Sequence, residues 1–441
     1  MEQRRKNLTQ LFIPICLETL LYMLSGMVDT LMLSSVNDQA VGAVGTANTY
    51  IGIFIIMFSV ISSGMVAVMT QNIGAGRPGV AYQARQLGLT FNAVLGIIVS
   101  LILTFGAGVI LAGVGVADAL MQPARTYLQI VGGFCILNAL IPICSSYLRA
   151  FGFSKEPLYA SIIGNVINFC LNAFFLFVLH KGVAGVATAT VISRIINLVI
   201  VVLLGAVLVK AKQHPERESN RAVMGQIIRI GLPSACETAI YNVSMTLVIR
   251  FLNQMDAQGL NVTARSYTMQ ITNFSYCVGA ALAQANAIMT GWHIGAKEYD
   301  ACDRGTKKAA VIGVIVAVIL ETVFTLCSGW IMQLFSKDPQ MVSLVGKLLA
   351  IDIVLEIGRV TNLVYGQALK TSGDAVFPVV MGACFMILCS VGGTYLFGIR
   401  LGLLAVGAYI GMTGDECVRA VGMYLRWKSG KWKEKGLVKS R

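Results

Sequence analysis

The sequence has little charge and little proline. Only 12% of its 441 residues are charged and nine are proline, whereas soluble domains carry roughly 25% charged residues. Hydrophobic residues make up 56% of the chain, and the mean hydropathy is +0.74. Apolar runs of about 20 residues recur from end to end, which is the pattern of membrane-spanning helices. The composition excludes a soluble protein and predicts an all-α integral membrane protein.

The motifs of nucleotide-driven pumps and hydrolases are also missing. The sequence has no Walker or other Gly-rich nucleotide loop, no HExxH zinc motif and no GxSxG nucleophile elbow. His180, His214 and His293 fall in or near predicted loops and form no cluster. The eleven cysteines have no spacing typical of a metal site or a disulfide framework. We therefore expect no cofactor, no metal site and no enzymatic activity.

Five residues near the start of the chain recur in the same order near its middle. They are separated by 219 positions (233 minus 14): Pro14, Glu18, Thr19, Tyr22 and Ser25 return as Pro233, Glu237, Thr238, Tyr241 and Ser244. Two more matches are separated by 221 positions (373 minus 152): Ile73-Gly74-Ala75 with Ile294-Gly295-Ala296, and Gly152…Pro157 with Gly373…Pro378. Three ordered matches indicate a duplicated half, an arrangement that many secondary transporters share.

Apolar runs and helix breakers predict about twelve spans, six in each half. The predicted spans are 9–33, 42–70, 87–113, 123–148, 157–180, 184–209, 226–252, 263–291, 309–334, 342–368, 376–397 and 403–426. The segment that begins at Leu8 is longer than the apolar region of a signal peptide and is expected to remain as the first span. This predicts an N-lobe at 1–209, a charged connector at 210–224, a C-lobe at 225–427 and a basic tail at 428–441.

The net charge of +13 comes from basic clusters beside the spans, which is the positive-inside pattern of a multi-pass membrane protein. The clusters are Arg4-Arg5-Lys6, Arg77 with Arg85, Lys210-Lys212 with Arg217 and Arg221, Lys307-Lys308, and Lys428 through Arg441. Since each half has an even number of spans, both termini are predicted to be cytoplasmic, in a cell membrane. The charge indicates contact with the lipid bilayer and no nucleic-acid partner. We expect a monomer. Pro142, well inside span four, is the predicted kink.

Span one carries a polar stripe at steps of four, three and four: Glu18, Tyr22, Ser25 and Asp29. A polar stripe on a membrane helix must face protein or water, because lipid cannot satisfy it. Asp29 is the strongest functional candidate in the stripe. No Lys or Arg lies near it on the same helix, and an unpaired carboxylate buried in a membrane costs free energy. The alternatives are an interfacial Asp close to the outer surface and a cation-coupling residue.

Other polar residues share a face of span five. Asn165, Asn168 and Asn172 lie on this face, either as a path for water or a ligand or as hydrogen-bonding groups that hold neighbouring helices together. The duplicated acids Glu18 and Glu237 are candidates either for function or for pairing with a neighbouring helix.

Span ten places Asp352, Glu356 and Arg359 on one face. Arg359 can neutralise Glu356 at i, i+3, which leaves Asp352 as the unpaired acid; binding a ligand and forming ion pairs both stay open. Three further predictions concern other spans: Gln284 is a cavity candidate in span eight, Glu321 stands alone in the apolar run of span nine, and Asp415, Glu416 and Arg419 form a local charge cluster in span twelve.

Several segments together resemble the multidrug and toxic compound extrusion (MATE) transporters over nearly the whole chain: IPICLETLLYMLSGMVDTLML, QNIGAG, LRAFGFSKEP, GNVINFCLN, GRVTNLVYGQALKTSGDAVFP and VRAVGMYLRWKSGKW. The resemblance implies twelve transmembrane helices in two pseudo-symmetric six-helix lobes, arranged in a V. It also implies alternating access and the export of organic cations or amphipathic compounds against a proton or sodium gradient.

The resemblance assigns cation coupling to Asp29, Asn168 and Asn172, with one departure. The family has an Asp at the position of Asn172, so the second acid of a two-acid relay is missing here. The branch with a C-lobe cation site has acids where this chain has Tyr241 and Arg359, which argues against a sodium site of that type. A different cation site built by Asp352, Glu356 and Glu237 stays open.

The function expected from the sequence is therefore a cation-coupled antiporter, with the proton favoured over sodium. A small-molecule substrate would bind near the candidate residues Tyr22, Ser25, Asn165, Gln284, Asp352, Glu356 and Arg359. The alternative is a flippase or exporter of a lipid-linked or amphipathic metabolite. A channel or receptor and a membrane enzyme are the other classes considered.

Overall fold

The computed structural model describes residues 6–35, 38–113, 116, 118–256, 258–333 and 335–438, and this part of the chain contains helices and no strand. Arg4 and Arg5 of the first basic cluster, and residues 439–441 of the last, lie outside the described residues. The chain divides into two compact units, Met1–Leu232 and Pro233–Arg441, called unit 1 and unit 2 below.

Within its described residues, unit 1 contains seven α-helices and the first part of an eighth. They are α1 (Leu8–Ser34), α2 (Asp38–Gly74), α3 (Pro78–Gly113), α4 (Asp118–Gly133), α5 (Ile136–Ala150), α6 (Lys155–Ala173), α7 (Gly182–Leu208) and the start of α8 (Asn220–Met255). A π-helical segment, Phe174–Val178, continues α6, and a short 3₁₀ helix, Lys210–Gln213, follows α7.

The part of unit 2 that the structure describes contains the rest of α8 and six further α-helices. They are α9 (Leu260–Gly295), α10 (Tyr299–Leu326), the short α11 (Ser328–Met332), α12 (Pro339–Ser372), α13 (Val376–Phe385) and α14 (Leu404–Lys428). Two π-helical segments, Met386–Val391 and Thr394–Arg400, extend α13, and a 3₁₀ helix, Lys431–Glu434, follows α14.

The helices account for the twelve predicted spans. Among the described residues, seven helical segments are long and apolar enough to cross a membrane, and eight if α4 and α5 count as one bent span. The other four, α8, α9, α12 and α14, have 36, 36, 34 and 25 residues but are more polar. In unit 2, α12 packs against α9, α10 and α14. The polar side chains at these contacts are thus buried in protein instead of facing lipid.

The bend in the fourth span does not lie at Pro142, so that prediction was wrong. Helix α5 continues through Pro142, and the 43° bend falls between Gly133 and Ile136. There the backbone makes tighter turns, with the N–H of Cys135 donating to the Gly132 carbonyl at 2.9 Å. A proline removes one helical hydrogen bond, but the loss at Pro142 does not break the helix.

Two glycines let α2 and the start of α8 cross with their backbones in contact. A Cβ added at Gly231 would lie 1.7 Å from the carbonyl oxygen of Val60, and one at Gly64 would lie 2.0 Å from that of Ile227. Small residues allow such close approach between membrane helices, where van der Waals packing is a main source of stability. No other side chain fits at either position without separating the two helices.

The segment after α14 folds back onto unit 2. The ring of Trp432 stacks on that of Trp427 with centroids 4.1 Å apart and planes within 7°. The indole of Trp427 donates to Asp303 at 2.9 Å, and that of Trp432 donates to the Trp427 carbonyl at 2.9 Å. Both indoles are buried, each with its N–H satisfied, so this part of the basic tail is an ordered component of the unit.

Candidate functional site

The residues of the polar stripe on α1 differ in solvent exposure. Tyr22 is 69% exposed, whereas Ser25 and Asp29 are half-buried. Helix α1 packs along α6, and the α6 residues Asn168 and Asn172 are buried. The two faces that the sequence predicts therefore meet within unit 1.

Asp29 and the two asparagines form one hydrogen-bonded chain. The side-chain amide of Asn172 donates to Asp29 Oδ1 at 2.6 Å and lies 3.2 Å from Asn168 Oδ1. Asn172 Oδ1 is buried and has no hydrogen-bond partner among the described residues. The structure thus brings the three predicted coupling residues together, and it leaves one buried acceptor beside the carboxylate.

Asp29 has a positive charge nearby, which comes from another helix. Arg194, on α7, lies close enough to interact electrostatically with Asp29 and donates to Asn138 Oδ1 on α5 at 2.9 Å. The buried Tyr127 of α4 is also within reach of both charges. Sequence reasoning considered partners only on the same helix and missed Arg194, although a lone arginine in the apolar run VISRIINLVI is itself a functional signal.

The duplicated acids are both held in ion pairs. Glu18 accepts from Arg149 of α5 at 2.6 Å, and Glu237 lies 2.5 Å from the ammonium of Lys370 on α12. The basic partners are themselves separated by 221 positions (370 minus 149), so the pair is duplicated together with its helices. Of the two alternatives for these acids, the geometry shows pairing with a neighbouring helix.

A second polar group is buried in unit 2. Arg359 pairs with Glu356, as the i, i+3 spacing predicts, and its Nε lies 3.7 Å from Glu416. Arg419 holds Asp415 at 2.8 and 3.0 Å and Glu416 at 2.9 Å. The predicted charge cluster of the last span is confirmed, and it extends to α12 through Arg359.

Glu321 is the only charged residue in its own apolar run, but it interacts with acids of another helix. Its side chain on α10 is fully buried and interacts electrostatically with Asp352 and Glu356 of α12. Neither of its carboxylate oxygens has a hydrogen-bond partner among the described residues, and Asp352 Oδ2 has none either. The residues lie far apart in the sequence, so only the packing of α10 against α12 reveals the interaction.

The remaining candidates are less closely connected. Asn165 is half-buried on α6, and Gln284 is exposed on α9. The residues Asp29, Asn168 and Asn172 belong to unit 1, whereas Asp352, Glu356 and Arg359 belong to unit 2. The predicted coupling residues and the acids of α12 therefore belong to different units.

The chemistry available to these groups is ionic. Among the described ranges, no three His, Cys, Asp or Glu side chains are arranged to hold a metal ion. A half-buried carboxylate that accepts an amide hydrogen bond beside an arginine can exchange its charge for a proton or attract a cation.

Comparison with known proteins places the chain in a family. The family model MatE matches residues 14–174 and again 233–396, so its two copies begin at the duplicated Pro14 and Pro233. The uncharacterized transporter YisQ of Bacillus subtilis (strain 168) is 34% identical over 431 residues, covering 96% of this chain and 94% of YisQ. The probable multidrug resistance protein NorM of Thermotoga maritima is 22% identical, covering 98% and 94%.

Solved structures share the fold. One described as an outward-facing multidrug resistance MATE transporter of the MOP superfamily has a TM-score of 0.84 at 18% identity, covering 98% of this chain and 96% of that one. A MOP superfamily transporter from Pyrococcus furiosus has a TM-score of 0.83 at 18% identity, with the same coverage. The chain belongs to the MatE family, the multidrug and toxic compound extrusion family of membrane transporters.

Proposed function

We propose that this protein is a cation-coupled antiporter that exports organic cations or amphipathic drug-like compounds by alternating access. The observation that supports the proposal best is the contact of Asp29 with Asn172 between α1 and α6. Relatives that are described as probable multidrug resistance proteins, such as NorM of Thermotoga maritima, favour the same class of substrate.

The proposed switch is the charge on Asp29. The ionised carboxylate accepts the Asn172 amide hydrogen and is favoured by the positive charge of Arg194. When Asp29 binds a proton, it becomes a weaker acceptor and gains an O–H donor, so the contact between α1 and α6 changes. The buried Asn172 Oδ1, which lacks a partner among the described residues, can receive a new hydrogen bond at that step.

The coupling works through differential affinity. An anionic Asp29 attracts a cationic substrate, and protonation from the outer side removes that attraction and favours release. A ligand shifts a conformational equilibrium only by the difference in its affinity for the two states. Because a proton needs one carboxylate oxygen whereas Na⁺ needs several oxygen ligands, the amide donor facing Asp29 favours the proton.

The organisation of the chain in the membrane is part of the proposal. We infer an N-lobe at 1–209 and a C-lobe at 225–427, joined by the connector at 210–224 and followed by the basic tail at 428–441. Both termini would be cytoplasmic, and the protein would act as a monomer in the cell membrane. Impermeant thiol labelling of single cysteines placed in the connector and the tail of intact cells would test this: labelling from outside would contradict it.

The test of coupling is transport in proteoliposomes loaded with a fluorescent organic cation, with pH and sodium gradients imposed separately. The proposal expects movement driven by the pH gradient alone. Movement driven by sodium alone would replace the proton with sodium as the coupling ion. Translocation of an amphipathic lipid-linked compound that responds to neither gradient would favour the flippase.

A further inference from the structure

We propose that residues 209–220, called the connector strap below, form a reversible latch across the start of α3, and that this latch opens during the transport cycle. The connector strap joins α7 to α8 within unit 1. Its 3₁₀ helix, Lys210–Gln213, has a counterpart in unit 2, Lys431–Glu434. Both ends of the two helices are separated by 221 positions (431 minus 210, and 434 minus 213). The duplication therefore includes the segment that follows the last span of each half.

Each copy docks through the second residue of its 3₁₀ helix. Ala211 is fully buried, and its helix packs against α3. The equivalent residue, Trp432, is 1% exposed and stacks on Trp427. Residues 430–437, which contain Trp432, are called the tail strap below. The two straps thus share a position and a local fold but differ in the size of the buried side chain.

A glycine in each unit lets the strap lie directly against the helices. A Cβ added at Gly79, in the first turn of α3, would lie 2.5 Å from the carbonyl oxygen of Glu216. One added at Gly373 would lie 2.3 Å from that of Lys435. The Gly79 carbonyl also accepts from the guanidinium of Arg217 at 2.9 Å. Both straps are therefore seated by backbone contacts that a larger residue would displace.

Polar contacts centred on Gln83 fasten the end of the connector strap. The buried Gln83 amide donates to the Glu218 carbonyl at 2.7 Å and to Asn220 Oδ1 at 2.6 Å. Gln83 Oε1 accepts from the Glu218 N–H at 3.0 Å. The Glu218 carboxylate pairs with Arg77 at 2.6 Å. One glutamine of α3 thus holds both the backbone of the strap and the first residue of α8.

The chemistry of these contacts makes the connector strap the more easily released of the two. Its hydrogen bonds can be exchanged for bonds to water at little net cost. The side chains of Arg77 and Glu218 are each 29% exposed, and solvent weakens such ion pairs. Releasing Ala211 exposes little apolar surface, whereas releasing Trp432 exposes a large ring and breaks its stack. We therefore assign the tail strap as a permanent brace and the connector strap as a latch.

The latch controls the start of α8, and its role in transport rests on the proposed function. Asn220 is the first residue of α8, and further along, at Gly231, α8 crosses α2 with the backbones in contact. With the latch closed, α8 is held at both places. With the latch open, its first turns are released from α3 while the crossing at Gly231 remains. Alternating access moves packed elements against one another, and release of the first turns of α8 permits such a movement.

Hydrogen exchange of the purified full-length protein tests the latch without transport. The Glu218 N–H is the reporter, since it donates to Gln83. Gln83→Met keeps the length of the side chain and loses its three hydrogen bonds, so residues 214–219 should exchange about tenfold faster. Gly79→Ala should have the same effect through its clash with the Glu216 carbonyl, although it removes no polar side chain.

Two variants on the same helix are the matched controls. Gln86 is exposed and donates to the Tyr82 hydroxyl at 3.3 Å, and a Cβ added at Gly113 meets no atom within 4 Å. Gln86→Met and Gly113→Ala should therefore leave the exchange of residues 214–219 unchanged. The tail strap should keep its wild-type exchange in all four variants. Wild-type exchange of residues 214–219 in both Gln83→Met and Gly79→Ala would overturn the latch.

A reversible lock tests whether the latch opens during transport. Gln83→Cys combined with Asn220→Cys places two thiols where the native side chains touch. A short bifunctional methanethiosulfonate would join them through disulfides that a reductant reverses. In proteoliposomes, equilibrium exchange of a fluorescent organic cation should fall at least about tenfold on cross-linking and recover on reduction. Each single-cysteine variant, treated in the same way, controls for the native cysteines.

The outcomes separate the latch from the proposed coupling. Exchange by the cross-linked protein at the rate of the reduced protein would overturn the opening of the latch during transport. Because no ion gradient is imposed, this result does not depend on which ion is coupled. Blocked exchange in the cross-linked protein, together with no response of the wild type to a pH gradient, would support the latch and reject proton coupling.

Discussion

The carboxylate of Glu18 lies 2.6 Å from the guanidinium of Arg149, and the same relationship occurs again between the duplicated positions Glu237 and Lys370. The first pair joins α1 to α5, the helix before Gly152…Pro157. The second pair joins α8 to α12, the helix before the duplicated Gly373…Pro378. The acid and its base were thus copied together, whereas Asp29 has a valine, Val248, at the equivalent place in the second copy.

Breaking either pair should destabilise its unit. The four side chains are only 11 to 15% exposed, so removing one partner leaves a poorly solvated charge. We expect Glu18→Gln and Lys370→Met each to cost about 1–3 kcal/mol, and a double-mutant cycle at Glu18 and Arg149 to show coupling. The readout is thermal unfolding in detergent.

The exposed pair of Lys307 with Asp303, at 2.8 Å, is the matched control. Exposed ion pairs contribute little, so Lys307→Ala should change the midpoint hardly at all. If Lys307→Ala lowered the unfolding midpoint as much as Glu18→Gln or Lys370→Met, the prediction that the buried duplicated pairs stabilise the protein more than an exposed pair would be wrong.

The close helix crossing at Gly231 predicts that alanine destabilises the protein at this position but not at another glycine of the same helix. Gly231→Ala places a methyl group 1.7 Å from the Val60 carbonyl oxygen, so the two helices must separate and the yield and melting temperature should fall. Gly225→Ala, on the same helix with no atom within 4 Å of the added methyl, should be neutral or stabilising by up to about 1 kcal/mol. Similar behaviour of the two variants would show that the backbones do not touch.

The folded-back tail predicts that Trp432 stabilises unit 2. Truncating a fully buried tryptophan costs about 3–5 kcal/mol, and Trp432→Ala also removes the stack on Trp427. We expect a clearly lower melting temperature, with Lys431→Ala, which is exposed, as the neutral control. A tail that can be cut after Lys428 with no change in melting would contradict this packing.

We predict that Asp256 makes a pH-dependent contribution to the free energy of unfolding, through its hydrogen bonds at the start of α9. Partial burial opposes its ionisation, but hydrogen bonds from Asn261, Leu260 and Gly259 outweigh it and hold the pKa of Asp256 below its usual value. The carboxylate accepts from the Leu260 N–H at 2.8 Å and the Asn261 N–H at 3.0 Å. Its stabilisation should be present above about pH 4 and be lost as the pH falls through the lowered folded-state pKa.

Asp256→Ala should therefore cost about 0.5–2 kcal/mol near neutral pH, and less at low pH. Asp256→Asn, which keeps an acceptor and loses the charge, should lie between and show little pH dependence. Unfolding midpoints measured across a pH series supply the test. A constant difference between wild type and Asp256→Ala at every pH would refute the linkage.

The sequence predicted the features that depend on spacing along one helix. The stripe that ends at Asp29, the face of Asn168 and Asn172, and the i, i+3 pair of Glu356 with Arg359 follow from the period of 3.6 residues. The repeat predicted that the two halves share helices. Each of these needs only the order of residues within a segment.

The missed features depend on which helices become neighbours. Arg194 on α7 interacts electrostatically with Asp29, and Glu321 on α10 interacts electrostatically with Asp352 on α12. The bend before Ile136 arises from turn geometry at Phe134 and Cys135, where the sequence has no proline. Helical spacing specifies a face, and only tertiary packing decides what that face meets.

The central claim is that the charge of Asp29 couples the cation gradient to substrate movement, and one measurement tests it most directly. Proteoliposomes containing Asp29→Asn are compared with wild type for substrate exchange at equilibrium and for uptake driven by a pH gradient. Tyr159→Phe, at an exposed position of the neighbouring helix α6, is the control. We predict that Asp29→Asn retains exchange and loses the pH-driven component. Accumulation by Asp29→Asn in proportion to the imposed pH gradient, as in wild type, would contradict the claim.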